Sequence, residues 1–334
     1  MKIIVDAMGG DKAPLEILKG CALAQQQYDI DLLLTGNEPL IRQIIAQNDI
    51  ELKSYEIVHT EEVITMEDEP TDVLKDKKES SLGLAFSLLK SSRGDAVVSA
   101  GSTGAILVGA TMTVGRIRGI KRPALATLLP SGNGITMLTD CGANAECRPE
   151  MLLQFAVMGS VYMNRIEGIE RPRVMLANVG TEDTKGGSLQ KEAFDLLKAS
   201  PINFCGNVEG RQLFSDVADV IVTDGFSGNL MLKTAEGTAG MMYRNLKAVF
   251  KKNALSRLSA ALIMSGLKEF KKKMDYTEYG GAPLLGISAP VIKAHGSSNA
   301  NAFKNAIRQA VEFCNKKVIE EISDYLLQRR EEQP

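Results

Sequence analysis

Val5-Asp6-Ala7-Met8-Gly9-Gly10-Asp11 is an apolar run that breaks off into glycine and aspartate, with a helical pattern a few residues later. The same pattern returns at Ala100-Gly101-Ser102-Thr103-Gly104, Asp140-Cys141-Gly142-Ala143-Asn144, Asn178-Val179-Gly180-Thr181-Glu182-Asp183, Thr223-Asp224-Gly225-Phe226-Ser227-Gly228-Asn229 and Lys293-Ala294-His295-Gly296-Ser297-Ser298-Asn299. Alternation of strand, glycine-rich turn and helix is the pattern of a doubly wound α/β sheet. In such a sheet, ligands bind beyond the carboxyl ends of the strands. Glycine lets backbone N–H groups approach an anion there, and helix N-termini add partial positive charge. A single glycine at a strand end is a tight turn. Several junctions of similar chemistry point instead to an enzyme that handles an anion, and phosphate suits a site so rich in backbone donors.

Working outward, strands are expected over 2–6, 31–35, 55–59, 96–100, 124–129, 135–140, 173–178, 203–205, 220–224 and 291–294. Many are unbroken Val, Ile and Leu runs, as strands covered by helices on both faces require. Helical patterns fill 14–27, 38–47, 80–91, 103–115, 149–165, 188–199, 228–250 and 301–327. A chain of 334 residues fits one large α/β domain over 1–334 with an insertion, or two intimate lobes. The insertion is the stretch 228–274, helical for longer than a crossover needs. Within 251–273 there are seven basic residues and one acid, a local net of +6 in a chain whose overall charge is -2. Leu255, Leu258, Leu262 and Leu267 recur at helical spacing beside Lys271, Lys272 and Lys273. A leucine face with lysine flanks suits an anionic membrane surface; a dimerisation hairpin fits the same pattern.

Composition is that of an ordinary globular protein, and the slight net negative charge argues against a nucleic-acid binder. Five scattered cysteines without a CxxC pair, with His59 and His295 the only histidines, indicate a reducing cytoplasm and no metal site. The first residues enter a strand directly, and no stretch is apolar for long enough to span a bilayer. We therefore expect a cytoplasmic protein.

No GxSxG elbow, HExxH or Walker loop is present, so neither covalent catalysis nor a nucleotide cofactor has support. The candidate anion-binding groups are Asp6, Gly9, Gly10, Asp11, Gly101, Ser102, Thr103, Gly104, Asn144, Asp224, Gly225, Ser227 and Gly228. Asn144 and Asn229 admit a second reading as helix caps. Lys185 sits in Gly180-Thr-Glu-Asp-Thr-Lys-Gly-Gly187, a polar loop with few structural reasons to be ordered without a ligand, and a solvated lysine is the alternative. His295 follows an apolar strand, where an imidazole can serve a reaction.

Val5 to Asp11, Ser99-Ala-Gly-Ser-Thr-Gly-Ala105, Gly115-Arg-Ile-Arg-Gly-Ile-Lys-Arg-Pro123, Asn178 to Asp183, Thr223 to Asn229, Tyr279-Gly-Gly-Ala282 and Lys293 to Ser298 together resemble the bacterial phosphate acyltransferase family. The resemblance runs in order from residue 5 to about 310, with Ser102 where that family often has Asn. It implies transfer of a long-chain acyl group from acyl-acyl carrier protein to inorganic phosphate, giving acyl phosphate for phospholipid synthesis. It also implies the three-layer αβα fold of the phosphate acetyltransferases and the isocitrate and isopropylmalate dehydrogenases. A homodimer peripherally attached to the membrane, with no metal and no cofactor, follows from the same resemblance. Lys185, Asn229 and His295 are then the expected catalytic groups, and Arg116, Arg118, Lys121 and Arg122 offer a basic surface for an acidic carrier. The competing expectations are a phosphate acetyltransferase using coenzyme A, a metal- and NAD-dependent decarboxylating dehydrogenase on a similar fold, and a scaffold that keeps the anion loops without turnover.

Overall fold

A computed structural model describes residues 1–132, 134–253, 256, 259–260, 262–266 and 280–332, with side chains to 327. Leu255, Leu258, Leu267, Lys271, Lys272 and Lys273 lie outside the described residues. The strands are β1 (Lys2–Asp6), β2 (Asp31–Gly36), β3 (Tyr55–His59), β4 (Ala96–Ser99), β5 (Ala124–Ser131), β6 (Gly134–Thr139), β7 (Val174–Asn178), β8 (Phe204–Glu209), β9 (Val220–Val222), β10 (Ala282–Leu285) and β11 (Val291–Lys293). They form one sheet in the order β3-β2-β1-β4-β11-β10-β5-β6-β9-β7-β8. The helices are α1 (Leu15–Gln27), α2 (Glu38–Gln47), α3 (Ser81–Lys90), α4 (Thr103–Gly109), α5 (Pro149–Glu167), α6 (Ser188–Lys198), α7 (Gly225–Lys251), α8 (Ala300–Asn315) and α9 (Val318–Glu332).

Because side chains alternate along a strand, the apolar runs feed both faces of the sheet. Ile3, Val5, Ala96, Val98 and Ile292 join α1, α5, α6, α8 and α9 in one core. Ile4, Val97 and Val291 pack with α3 and α4 on the other face, and farther along that face Leu138 and Ile221 meet Leu232 of α7. This is the expected three-layer, mostly parallel arrangement. The single helix expected over 301–327 is two, α8 and α9, separated at Lys317, whose φ is +52°. The apolar periodicity masks the break because Phe303, Ile307, Val318 and Ile322 all enter the same core.

One feature changes where the ligand ends of the strands lie. β11 pairs antiparallel with β10, β10 with β5, and β5 with β6. After three reversals, β6, β9 and β7 run opposite to β1, β4 and β11. The glycine-rich junctions therefore fall into two groups of three at opposite edges of the sheet rather than along one edge.

Candidate active site

At the first edge, the ends of β1, β4 and β11 are held together backbone to backbone. A Cβ on Gly9 would stand 2.8 Å from the Gly101 nitrogen, and one on Gly10 would stand 3.1 Å from the Gly296 carbonyl oxygen. The Asp11 N–H donates to that same carbonyl at 2.9 Å. Asp6 is buried, and its Oδ2 accepts the Ser99 hydroxyl at 2.7 Å while Oδ1 accepts the Met8 N–H at 3.2 Å. Burial pushes its carboxyl above the ordinary carboxylate range, against the pull of the hydrogen bonds from Ser81, Ser99, Met8 and Gly9. Asp6 thus ties loops together, and the Ser99 oxygen in turn accepts the Gly101 N–H at 3.0 Å. Ser102 takes the N-cap position of α4 without capping it through its side chain, and Thr103 and Gly104 form the first turn.

His295 accepts the Ser297 N–H on Nδ1 at 3.2 Å, and the Ser297 hydroxyl lies 2.9 Å from the same nitrogen. An acceptor Nδ1 places the proton of the neutral ring on Nε2. Burial lowers the imidazole pKa, as do Lys233 and Lys293; Glu236 and Asp11 oppose them. The shift favours the neutral ring, which carries its proton on Nε2.

At the opposite edge the organiser is Asp140, the carboxylate that opens the Asp140-to-Asn144 motif and that was not among the expected anion-binding groups. Its Oδ1 accepts the Leu125 N–H at 2.9 Å and the Ala143 N–H at 3.0 Å, and Oδ2 accepts the Asn144 N–H at 2.7 Å and its side-chain amide at 2.8 Å. Asn144 also donates to the Pro123 carbonyl, and its own carbonyl accepts the Gly225 N–H at 2.7 Å. These contacts hold the start of α7 against the β6 loop, and they make Asn144 a buttress of that loop. Asp224 caps α7, with Oδ1 accepting the Ser227 N–H and Oδ2 the Ser227 hydroxyl, at 2.8 and 2.9 Å. Gly225 and Gly228 are buried where α7 meets this loop, and a Cβ on Gly228 would run into the Asp140 carbonyl. Asn229 does not cap its helix. It is exposed in the second turn, 3.6 Å from the space a Gly142 Cβ would fill.

Lys185 lies at the end of β7, in a loop tied by protein contacts rather than one awaiting a ligand. Its carbonyl accepts the Asn178 amide at 3.1 Å, and the Asn207 amide donates to the Glu182 carbonyl at 2.8 Å. Its side chain is half exposed, with the ammonium 3.8 Å from the Glu182 carboxylate.

α7 connects the two edges. Starting at the β9 end, it travels about 12 Å by its ninth residue, Lys233, at 1.5 Å per residue, and Lys233 and Glu236 lie in the electrostatic environment of His295 at the first edge. Lys233 and Glu236 form an ion pair at 2.7 Å. Lys293, Lys233 and Glu236 were absent from the expected site. Their only sequence signal was position: Lys293 closes an apolar strand one residue before Ala294-His295, and Lys233 stands one turn past Asn229.

A family model described as "Fatty acid synthesis protein" matches residues 1–321. A phosphate acyltransferase of Alkaliphilus oremlandii is 49% identical, covering 97% of this chain and 97% of its own. One from Oceanobacillus iheyensis is 50% identical over 93% of this chain and 92% of its own. The chain belongs to the phosphate acyltransferase family. Among solved structures, a phosphotransacetylase from Streptococcus pyogenes matches with a TM-score of 0.64 at 17% identity, covering 96% of this chain and 94% of that one. A putative 4-hydroxythreonine-4-phosphate dehydrogenase from Salmonella typhimurium matches with a TM-score of 0.51 at 12% identity, covering 93% and 98%. These likenesses establish the fold that the sequence suggested, shared by acyl-transferring enzymes and dehydrogenases.

Proposed function

We propose that the chain transfers a fatty acyl group from the thioester of acyl-acyl carrier protein to inorganic phosphate, releasing the carrier thiol and acyl phosphate for phospholipid synthesis. The observation that carries this reading is near 50% identity to phosphate acyltransferases along almost the whole chain. The packing of the β1, β4 and β11 ends beside His295, whose pKa burial, Lys233 and Lys293 lower, supports it. Phosphate is ionised at neutral pH and needs no strong base to attack a thioester. One phosphate oxygen bonds to the carbonyl carbon, the C–S bond breaks, and the departing sulfur takes up a proton. Holding the two reactants in line is worth about 7–11 kcal/mol of barrier, and a donor aimed at the forming oxyanion about 3–4 kcal/mol more.

In this reading the amides of the 101–104 loop and the cations beside His295 face the phosphate, and the His295 Nε2–H is the donor for the departing sulfur. Lys185 and Asn229 are assigned to the oxyanion, with Asp224, Gly225, Ser227 and Gly228 fixing the start of the helix that carries Asn229. A second acyl transfer, from coenzyme A to phosphate, has only the fold likeness behind it.

The membrane and dimer readings belong to the same proposal. From its third turn α7 leaves the sheet, and Met241, Met242, Tyr243, Leu246 and Val249 are exposed along it, as is Leu262 beyond its end. We assign 228–274 as one protrusion of a single domain, contacting an anionic bilayer or a second copy of the chain. Among the described residues no helix is long and apolar enough to cross a membrane, so attachment would be peripheral. For the acidic carrier, the exposed basic segment at Arg116, Arg118, Lys121 and Arg122 offers charge complementarity; Arg116 donates to the Lys121 carbonyl, which shapes the turn. The test of the function is phosphate-dependent release of thiol from a long-chain acyl carrier protein, and thiol release at the same rate without phosphate would reject it.

A further inference from the structure

The turn from His295 to Asn299 joins β11 to α8 and is pinned along its length. The Ala294 N–H donates to the Ser99 carbonyl at 2.8 Å and the Ser298 N–H to the His295 carbonyl at 3.0 Å. Asn299 caps α8, its Oδ1 accepting the Ala302 N–H at 2.9 Å. From the β1 loop the Asp11 N–H reaches the Gly296 carbonyl, and Glu16 of α1 accepts the Ala300 N–H at 2.7 Å. The backbone that carries the imidazole is thus held by β4, by the β1 loop and by α1, which leaves the state of the ring to its own contacts.

Ser297 touches Nδ1 twice. A backbone N–H can only donate, so the 3.2 Å contact from the Ser297 N–H requires an unprotonated Nδ1. With that nitrogen bare, the Ser297 hydroxyl 2.9 Å away can only donate as well. A proton added to Nδ1 would point at both donors, so the charged ring breaks the arrangement that the neutral ring satisfies. Burial, Lys233 on α7 and Lys293 on β11 also disfavour the cation, whereas Glu236 on α7 and Asp11 on the β1 loop favour it. Charges at a distance set how much of the ring is protonated. A donor in contact with one nitrogen sets which of the two holds the proton of the neutral form.

We propose that Ser297 is the positioning residue for release of the thiol: it holds His295 as the neutral Nε2–H tautomer, so the ring meets the departing sulfur as a hydrogen-bond donor and not as an acid. This rests on the acyl-transfer reading above and adds the source of the proton that ends on sulfur. Hydrogen phosphate brings one proton into the reaction. As its oxygen bonds to the carbonyl carbon, the C–S bond breaks and its electron pair leaves on sulfur. The acyl phosphate formed is a stronger acid than hydrogen phosphate, so its proton passes through solvent to the thiolate and the charges balance. Full transfer from Nε2 would instead leave an imidazolate, far more basic than the thiolate it served. His295 therefore ends the cycle in the state in which Ser297 held it at the start.

Because His59 and His295 are the only histidines, nitrogen NMR of the imidazoles reads the ring directly. His59, whose Nδ1 accepts the Glu38 N–H at 3.1 Å, serves as the internal reference. The experiment titrates the parent, Ser297→Ala and Ser297→Thr, and measures kcat with KM for inorganic phosphate and for a long-chain acyl carrier protein thioester. The parent His295 should show the Nε2–H tautomer. Ser297→Ala keeps the backbone N–H and loses the hydroxyl, so it should raise the His295 pKa by roughly half a pH unit to one, the effect of one hydrogen bond. His59 should not move. In the same variant kcat should fall roughly 3- to 10-fold with both KM values unchanged, and Ser297→Thr should restore titration and turnover together. An Nδ1–H tautomer in the parent, an unmoved His295 titration or unchanged kcat in Ser297→Ala, or a loss that Ser297→Thr does not restore overturns the proposal. If the parent transfers no acyl group, the acyl-transfer reading fails, and the titration alone decides whether Ser297 holds the ring.

Discussion

Lysine 293 shows how a residue's environment can matter more than the motif it belongs to. It closes an apolar strand and reads as an edge charge, yet burial beside Lys233 lowers its pKa to about 8. The ammonium is present below that pH and is lost as pH rises through it. Inorganic phosphate is already mainly the dianion there, so kcat/KM for phosphate should fall about tenfold per pH unit above pH 8. A flat profile up to pH 9.5 would remove Lys293 from phosphate binding, and the fall should be absent from Lys293→Arg, whose charge persists. Lys185 and Asn229 belong to the other edge. If they stabilise the oxyanion, replacing each by Ala should lower kcat by about 100-fold without disturbing the fold, because both side chains are exposed. Circular dichroism with steady-state kinetics checks this, and full turnover in the folded double variant would exclude both. Much of the site was legible as residue types: glycine, serine, aspartate and asparagine at strand ends. What the types could not tell apart was support from contact. Asp6, Asp140 and Asn144 spend their polar atoms holding loops, and these roles depend on residues far away in sequence.

The elements were legible nearly to the residue wherever an apolar run met a glycine or a cap. α1, α2, α6 and the first four strands fall within a residue or two of their expected bounds. β10 was not expected, because Ala282-Pro283-Leu284-Leu285 is short and contains a proline, which demotes a strand in sequence. It forms between β11 and β5 because both neighbours present edges that one short segment can pair. α7 is the element on which most depends. Gly228 lets it lie against the β6 loop, so Gly228→Ala should lift the helix, move Asn229 and Lys233 together, and lower both thermal midpoint and turnover. Equal stability and equal kcat in that variant would show that the helix has slack. Farther out, surface attraction is screened by salt whereas apolar insertion is not. Lys271, Lys272 and Lys273 changed together to Glu should therefore weaken sedimentation with anionic vesicles mainly at low salt, and Leu262→Glu at every salt. If both variants sediment as the parent does, the protrusion is not the membrane contact.

At the scale of the molecule, the sequence announced an α/β sheet wrapped on both faces but not its change of direction. Expected strands over 124–129 and 135–140 are joined by Pro130-Ser131-Gly132-Asn133-Gly134, a hairpin signature. Read as such, it would have foretold that β6, β9 and β7 oppose β1, β4 and β11. The consequence is functional. A reaction with two partners has two glycine-rich edges available, one lined by Lys293 and His295 and the other by Asn229 and Lys185, with α7 spanning them. Phosphate, sulfur and oxyanion share one carbon, so this account requires the two groups to meet beside α7, where Glu236 acts on both Cys141 of the second edge and His295 of the first. The most direct test follows free thiol released from long-chain acyl carrier protein while inorganic phosphate is varied and acyl phosphate is trapped and counted. The account predicts saturable dependence on phosphate, with one acyl phosphate formed for each thiol released and no change after chelation. Thiol release that is independent of phosphate, or that yields free fatty acid in place of acyl phosphate, would contradict it.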